Sequence, residues 1–492
     1  MFKNIKIIAF FTILSRILGF VRDFLITRYF GADIYTDMFF VAFKIPNHFR
    51  RIFGEGAVNS SVVPVLSKID QNDPEKAKIA IGNLIVVFGS ILLTFTILGI
   101  IFSKGLILIS APGLLDSAHI KVLDLLVKIN FSYIFFIGMA ICFMGIMNSY
   151  NQFGVGAFSP SLLNISMIVS MLVLYNFFHP HIYTLCFGVV LGGMLQMVFS
   201  YYGLKLGKIP IKYTLKIEDS TKQILKLMSV TAISGSVLQI GDMIDTFIAS
   251  FMKVGSISYL YYANILFQLP FAIVVLAISQ ATLPQLSKLE KTELVKNTNN
   301  LLKIIFNLSI PITLYFIFFG KDLITIIFQH GKFTPQDTAH TDIALTMFMF
   351  GFLFFSQLRI VNNAFYAIKD VKTPLRAAIL AVLAKLVVSP IFAIIFGFWG
   401  LALALSVVGL INLIILSYYF KRKIGKIEYK VSKESVIIFF VLLTISIILK
   451  YIDFSKTYII DAIFRLAIST LVYAPIGLYI IKKELLSYRI KQ

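Results

Sequence analysis

Charge is scarce in this sequence, and so are cysteine and tryptophan. Of 492 residues only 14% are Asp, Glu, Lys or Arg, while 58% are hydrophobic. Water-solvated domains run at roughly 45–50% apolar, so a soluble globular fold would leave too much apolar surface uncovered. The mean hydropathy of +0.87 points the same way. A bilayer resolves the excess, because each run of about 20 apolar residues can cross it as a helix. The two cysteines, Cys142 and Cys186, both fall in apolar runs without a CxxC pair. No disulfide framework is encoded, and cysteine says nothing about redox chemistry. The six histidines form no HExxH arrangement, and Gly331-Lys332-Phe333-Thr334 lacks the preceding glycine of a phosphate loop. No enzyme signature, firm metal site or cofactor motif emerges. Acidic residues are also few, 24 against 45 Lys and Arg, for a net charge of +21. The basic residues sit in short loops between apolar runs, with no basic stripe carrying interleaved aromatics. That excludes nucleic acid as the partner and fits topology signals and contact with anionic lipid headgroups.

The apolar stretches centre near residues 5–30, 36–66, 79–103, 124–148, 157–178 and 181–204. A second series lies near 222–250, 257–287, 300–319, 338–368, 373–395, 398–420, 434–451 and 458–481. These predict an all-α polytopic membrane protein with about fourteen spans. Lys3 and Lys6 before the first stretch mimic a signal peptide, but Ser15-Arg16 follows without a small-residue cleavage site, so an uncleaved first span is expected. Alternate connections carry the lysines and arginines, and the positive-inside rule puts both termini in the cytoplasm. The connection 205–221 divides the chain into 1–204, an N-lobe of six spans, and 222–420, a C-lobe of six more. Residues 434–481 supply a final pair, and 482–492 form a cytoplasmic tail. The halves repeat: Pro64-Val65-Leu66-Ser67-Lys68 recurs as Pro284-Gln285-Leu286-Ser287-Lys288, and Asn148-Ser149-Tyr150 with Pro160 recurs as Asn363-Ala364-Phe365 with Pro374. A parallel repeat of this kind predicts a cavity between lobes.

Charges inside spans cost roughly 2.5–3.5 kcal/mol each on insertion scales, so those present need partners or a wet cavity. The first span carries Arg16, Gly19, Arg22 and Asp23, which fall within about a third of a helix circumference. The second adds Asp37, Lys44, Arg50, Arg51 and Glu55, interrupted by Pro46, Gly54 and Gly56. Breakers are tolerated at membrane depth where backbone lines a cavity or is buried in protein. Lys44, Arg50 and Arg51 can also snorkel to the interface. An excess of arginine suits a multivalent anion, because the planar guanidinium engages phosphate oxygens in pairs. In the second half, Asp242 and Asp245 lie one turn apart, Lys385 sits in an apolar span, and Tyr261, Asn264 and Gln268 share a helix face. Arg359, Asn362, Asn363 and Tyr366 make another polar stripe. Structural ion pairs and interhelical hydrogen bonds explain these as well as a cation site at Asp242 or Asp245 does, and Lys385 can serve as a fixed cation there.

The run Ser15-Arg16-Ile17-Leu18-Gly19-Phe20-Val21-Arg22-Asp23, with Thr36-Asp37, Lys44-Ile45-Pro46-Asn47 and Arg50-Arg51-Ile52-Phe53-Gly54-Glu55-Gly56-Ala57, resembles the MurJ (MviN) lipid II flippases of the MOP exporter superfamily. The resemblance continues through Gly192-Gly193-Met194-Leu195-Gln196, Tyr261-Tyr262-Ala263-Asn264, Gly331-Lys332-Phe333 and Phe365-Tyr366-Ala367 with Asp370, Thr373 and Pro374. It implies a MATE-like V of two six-helix lobes around a cationic cavity, with the last two helices shaping a groove for the lipid tail. Arg16, Arg22, Asp37 and Arg50 fall on the family's functional positions, with Asp23 and Glu55 beside them. Many members carry an arginine after Tyr-Tyr-Ala-Asp/Asn, where this chain has Ile265. Either Arg359 substitutes, with Asn264 and Gln268 as second-lobe candidates, or the first lobe holds most of the headgroup. The implied activity is translocation of lipid II across the bacterial inner membrane by alternating access, by a monomer with no cofactor. Without an ATP-binding domain, the membrane potential, a monovalent cation or the substrate gradient would drive it. The implied partners are lipid II, membrane lipids and the cell-wall synthesis machinery. The rival readings are a related exporter of another lipid-linked oligosaccharide, a membrane enzyme acting on lipid-linked intermediates, and a non-transporting cell-wall scaffold.

Overall fold

The computed structural model describes residues 2–53, 57–115, 118–429 and 433–489, and these are helical with no strand among them. Contacts gather them into two compact units, Met1–Val254 and Gly255–Gln492.

The first unit runs α1 (Phe2–Phe30), α2 (Ile34–Ile52), α3 (Val58–Asn72), α4 (Pro74–Ile101), the short α5 (Ser103–Ser110), α6 (Ile120–Ser149), α7 (Gly154–Leu174), α8 (Tyr183–Leu206) and α9 (Asp219–Ala249). The starts follow the capping rules. Asp33 caps α2 by accepting from the Thr36 amide at 2.8 Å. Asp73 caps α4 from the Lys76 amide at 3.1 Å, with Pro74 pre-set at the first helical position. The second unit runs α10 (Ser256–Pro270), α11 (Ala277–Leu286), α12 (Lys291–Phe328), α13 (Pro335–Ala367), α14 (Lys372–Phe396), α15 (Phe398–Lys423), α16 (Lys433–Lys450) and α17 (Tyr458–Arg489). Gly255 takes a φ of 89° to start α10, a left-handed turn that favours glycine. Thr334 and Asp337 form a reciprocal capping box at α13.

All fourteen apolar stretches coincide with a helix or a broken helix pair. Among the described residues ten helices are long and apolar enough to cross a membrane. Helices α1 and α2, which carry the charged candidates, are not among them. The repeat is structural. In the first unit the second span comprises α2 and α3, on either side of residues that are not described. In the second it is split by a wide π-helical stretch, Phe271–Leu276, between α10 and α11. Asn148 donates to Asn59 on α3 at 2.9 Å, and Asn363 donates to the Ser279 carbonyl on α11 at 2.7 Å. The same amide therefore ties the same half-helix in each unit.

Helix α9 packs along α2, α3, α4 and α5 of the first unit. Near its end Gly113 donates its amide to Ser250 Oγ at 3.0 Å, and a Cβ on Gly113 would sit 2.3 Å from the Ser250 carbonyl oxygen. Backbone meets backbone there, so even Gly113→Ala must push α9 away. The expected loss is about 1–3 kcal/mol, read as a lower thermal midpoint in detergent.

In the second unit α12, α16 and α17 bury Ile310, Leu314, Phe319, Leu442, Leu449 and Tyr473 in one cluster. At its end Arg465 of α17 bonds Asp322 of α12 at 3.1 Å, Asp461 at 2.6 Å and the Ile452 carbonyl at 3.2 Å. Between α13 and α14, Asp370 accepts from Lys423 Nζ at 2.7 Å and from the Thr373 hydroxyl at 2.7 Å. Burial alone would raise this carboxyl, but the bonds from Lys423 and Thr373 outweigh it and hold it at about 2, below the ordinary 3.8. A depressed carboxylate contributes stability above its unfolded value and loses it as pH falls through the folded one. The pin to Lys423 should therefore hold at neutral pH and fail between about pH 4 and 2. Asp370→Asn should remove that acid-dependent step from thermal unfolding followed against pH.

Candidate functional site

The charged face of α1 divides on folding. Arg16 and Arg22 are about 120° apart around the helix. Arg22 turns toward α7, and its side chain is 14% exposed, while Arg16 stays on the surface. Asp23 beside it is buried. Arg22 donates through Nε at 2.9 Å and Nη2 at 2.7 Å to Asp23 Oδ1, and through Nη1 at 2.9 Å to Asn164 Oδ1 on α7. Asn164 in turn donates to the Ser15 carbonyl at 3.0 Å. A guanidinium is thus held in plane by an acid and an amide, its charge paired with the buried Asp23. Sequence reasoning missed Asn164. The available signal was a single amide four residues after Pro160 in an otherwise apolar run, which has no period to mark it.

Helix α2 supplies the next group. Asp37 is buried in its first turn, and Arg50 is half-buried, bonding Asn47 one turn back at 3.1 and 3.2 Å. The buried Tyr133 hydroxyl on α6 interacts electrostatically with both Arg50 and Arg22. Glu55 lies outside the described residues. The stripe of α2 that continues from Asp37 meets α9. Lys44 donates to Thr246 Oγ1 at 2.7 Å, His48 Nδ1 pairs with Gln239 Oε1 at 2.7 Å, and Arg51 lies 3.7 Å from Asp242. Residues 44, 48 and 51 follow i, i+4, i+7 spacing, so one stripe of α2 makes all three contacts. Asp242 is thus an ion-pair partner of Arg51, with Asp245 one turn further on. Among the described residues no group of three or more His, Cys, Asp or Glu side chains could hold a metal.

In the second unit Arg359 donates from Nε to Ser279 Oγ at 3.0 Å, and Asn363 takes the same serine through its hydroxyl at 3.2 Å and its carbonyl. Arg359 and Asn363 are therefore brought together on α11, while Tyr366 of the same stripe is exposed. Asn264 and Gln268 bond each other along α10, with Gln268 on the surface. Lys385 is buried within α14. Arg22 and Arg50 are each held by partners of the first unit, Arg22 by Asp23 and Asn164 and Arg50 by Asn47.

Known proteins resemble this chain over most of its length. The family model described as lipid II flippase MurJ matches residues 26–468. A probable lipid II flippase MurJ of Buchnera aphidicola (subspecies Schizaphis graminum) is 35% identical over 99% of this chain and 98% of its own. The lipid II flippase MurJ of Burkholderia cenocepacia is 30% identical over 85% of this chain and 83% of its own. A solved structure of lipid II flippase MurJ in an inward closed conformation superposes with a TM-score of 0.83 at 28% identity, covering 97% of this chain and 99% of that one. An inward-facing multidrug transporter of the MATE family, of the MOP superfamily, matches at TM-score 0.69 and 14% identity over 83% of this chain and 94% of its own, a likeness of fold alone. With the model spanning most of its length and relatives at 30% identity or more aligned over most of it, the chain belongs to the MurJ lipid II flippase family.

Proposed function

We propose that this multi-pass membrane protein is a transporter, not an enzyme, that carries the pyrophosphate-linked headgroup of lipid II from the inner to the outer leaflet of a bacterial cytoplasmic membrane. The observation that carries the reading is the Arg22 guanidinium, held in plane by Asp23 and Asn164 at the packing surface between α1 and the membrane-length helix α7. Guanidinium groups engage phosphate oxygens in pairs, and desolvation strengthens that contact. Arg16 meets the headgroup at the surface, and Asp23 and Asp37 keep the empty site from excess positive charge.

The prenyl tail stays in lipid while alternating access exposes the site to each side in turn. A negative-inside potential favours export. Moving two negative charges outward across the full field gains roughly 4–5 kcal/mol per 100 mV. Collapsing the potential with a potassium ionophore should then slow flipping in cells, while abolishing a pH gradient at constant potential should not. With both termini cytoplasmic, as loop charge suggests, the chain works as a monomer alongside the cell-wall synthesis machinery.

The test is complementation. This chain should restore growth to a bacterium depleted of its own lipid II flippase. Failure of a well-expressed chain to rescue would redirect the reading to another lipid-linked oligosaccharide.

A further inference from the structure

Asn164 uses both ends of its side chain on α1. Its carbonyl oxygen accepts from Arg22 Nη1 at 2.9 Å, and its amide nitrogen donates to the Ser15 carbonyl at 3.0 Å. Ser15 and Arg22 lie seven residues apart, two turns along one face, so the amide bridges them. A guanidinium only donates and a carbonyl only accepts, so these partners allow the amide a single orientation. Asn164 is 7% exposed, in a helix apolar enough to cross the membrane. Its contact differs in kind from that of Asp23. Asp23 receives Nε and Nη2 on one oxygen, a pivot about which the guanidinium plane can swing, and it cancels the charge. Asn164 adds a second fixed point on a different nitrogen and carries no charge.

Resting on the anionic-headgroup reading above, we infer that Asn164 is a positioning residue for that activity, fixing the plane of the Arg22 guanidinium toward a pyrophosphate while leaving its charge intact. Two substitutions separate these properties. Asn164→Leu keeps the volume and removes both bonds. Asn164→Asp keeps an acceptor for Arg22, but it sets a carboxylate against the Ser15 carbonyl and gives the Arg22–Asp23 pair a net negative neighbour. An anionic headgroup should reject the second change more strongly than the first.

The experiment is a binding titration of the full-length chain in nanodiscs with two probes that share a tail, undecaprenyl pyrophosphate and undecaprenol. Wild type, Asn164→Leu, Asn164→Asp and Arg22→Ala are compared. The expected result is a Kd for the pyrophosphate lipid raised roughly tenfold in Asn164→Leu, the size of one hydrogen bond to a charged group. It should rise further in Asn164→Asp, with undecaprenol binding unchanged in both. If both Asn164 variants bind the pyrophosphate lipid as wild type while Arg22→Ala does not, the positioning role is wrong and the arginine site stands. If Arg22→Ala also binds normally, the anionic site itself is wrong, and this inference with it. Equal loss for both lipids in the Asn164 variants means Asn164 only supports the fold, which overturns the inference.

Discussion

Replacing Arg22 with alanine should abolish lipid II export, and the loss should persist when folding is repaired. Arg22→Ala does two things at once. It removes the guanidinium proposed to meet the pyrophosphate, and it leaves the buried Asp23 carboxylate without its 2.7 Å partner. Breaking a buried ion pair from one side costs about 3–5 kcal/mol, because the remaining charge is uncompensated. The single variant should therefore fold poorly as well as fail to flip. Arg22→Ala with Asp23→Ala removes the orphan charge and should recover most of the thermal midpoint, yet remain inactive. Arg22→Lys keeps a cation but not the planar fork that reaches both Asp23 and Asn164, so activity should fall without vanishing. Activity in the stable double variant would show that the pair is a structural ion pair and nothing more.

The second large effect is on stability. Arg465 holds Asp322, Asp461 and the Ile452 carbonyl together at one end of α17, with side-chain exposures of 11% for the arginine and 4% and 7% for the acids. Arg465→Leu strands two carboxylates and should cost about 3–5 kcal/mol, loosening α17 from α12. Buried ion pairs replaced as a set by apolar residues are often neutral or stabilising. Arg465→Leu with Asp322→Leu and Asp461→Leu should thus unfold at a higher temperature than Arg465→Leu alone. An unchanged midpoint in the single variant would mean that water already solvates the cluster.

Much of this fold could be read before the structure, because span length is set by bilayer thickness and apolar runs show it directly. Gly54 and Gly56, read as a break in the second span, lie outside the described residues. The π-helical break at Phe271–Leu276 was not visible, since that stretch is apolar and marked only by Pro270. The charged residues of α1 were found, but spacing alone placed Arg16 and Arg22 together. Packing against α7 takes only Arg22, because a face about a third of the circumference wide can be half-covered by a neighbour. Asn164, Thr246 and Gln239 went unmarked for a different reason. Each is a lone polar residue whose importance comes from a partner more than a hundred residues away in sequence, as Arg22 is for Asn164. The contacts of Lys44, His48 and Arg51 with α9 belong to the same class. Periodicity identifies faces; it does not name what lies across from them.

The most direct test of the central claim is the amount of lipid II cleavable by a headgroup hydrolase added outside flippase-depleted cells that express this chain. The account predicts substantial cleavage with the wild-type chain and background cleavage with the Arg22→Ala, Asp23→Ala double variant at equal membrane expression. Cleavage at the wild-type level in that variant would contradict the assignment of Arg22 as the group that carries the headgroup across.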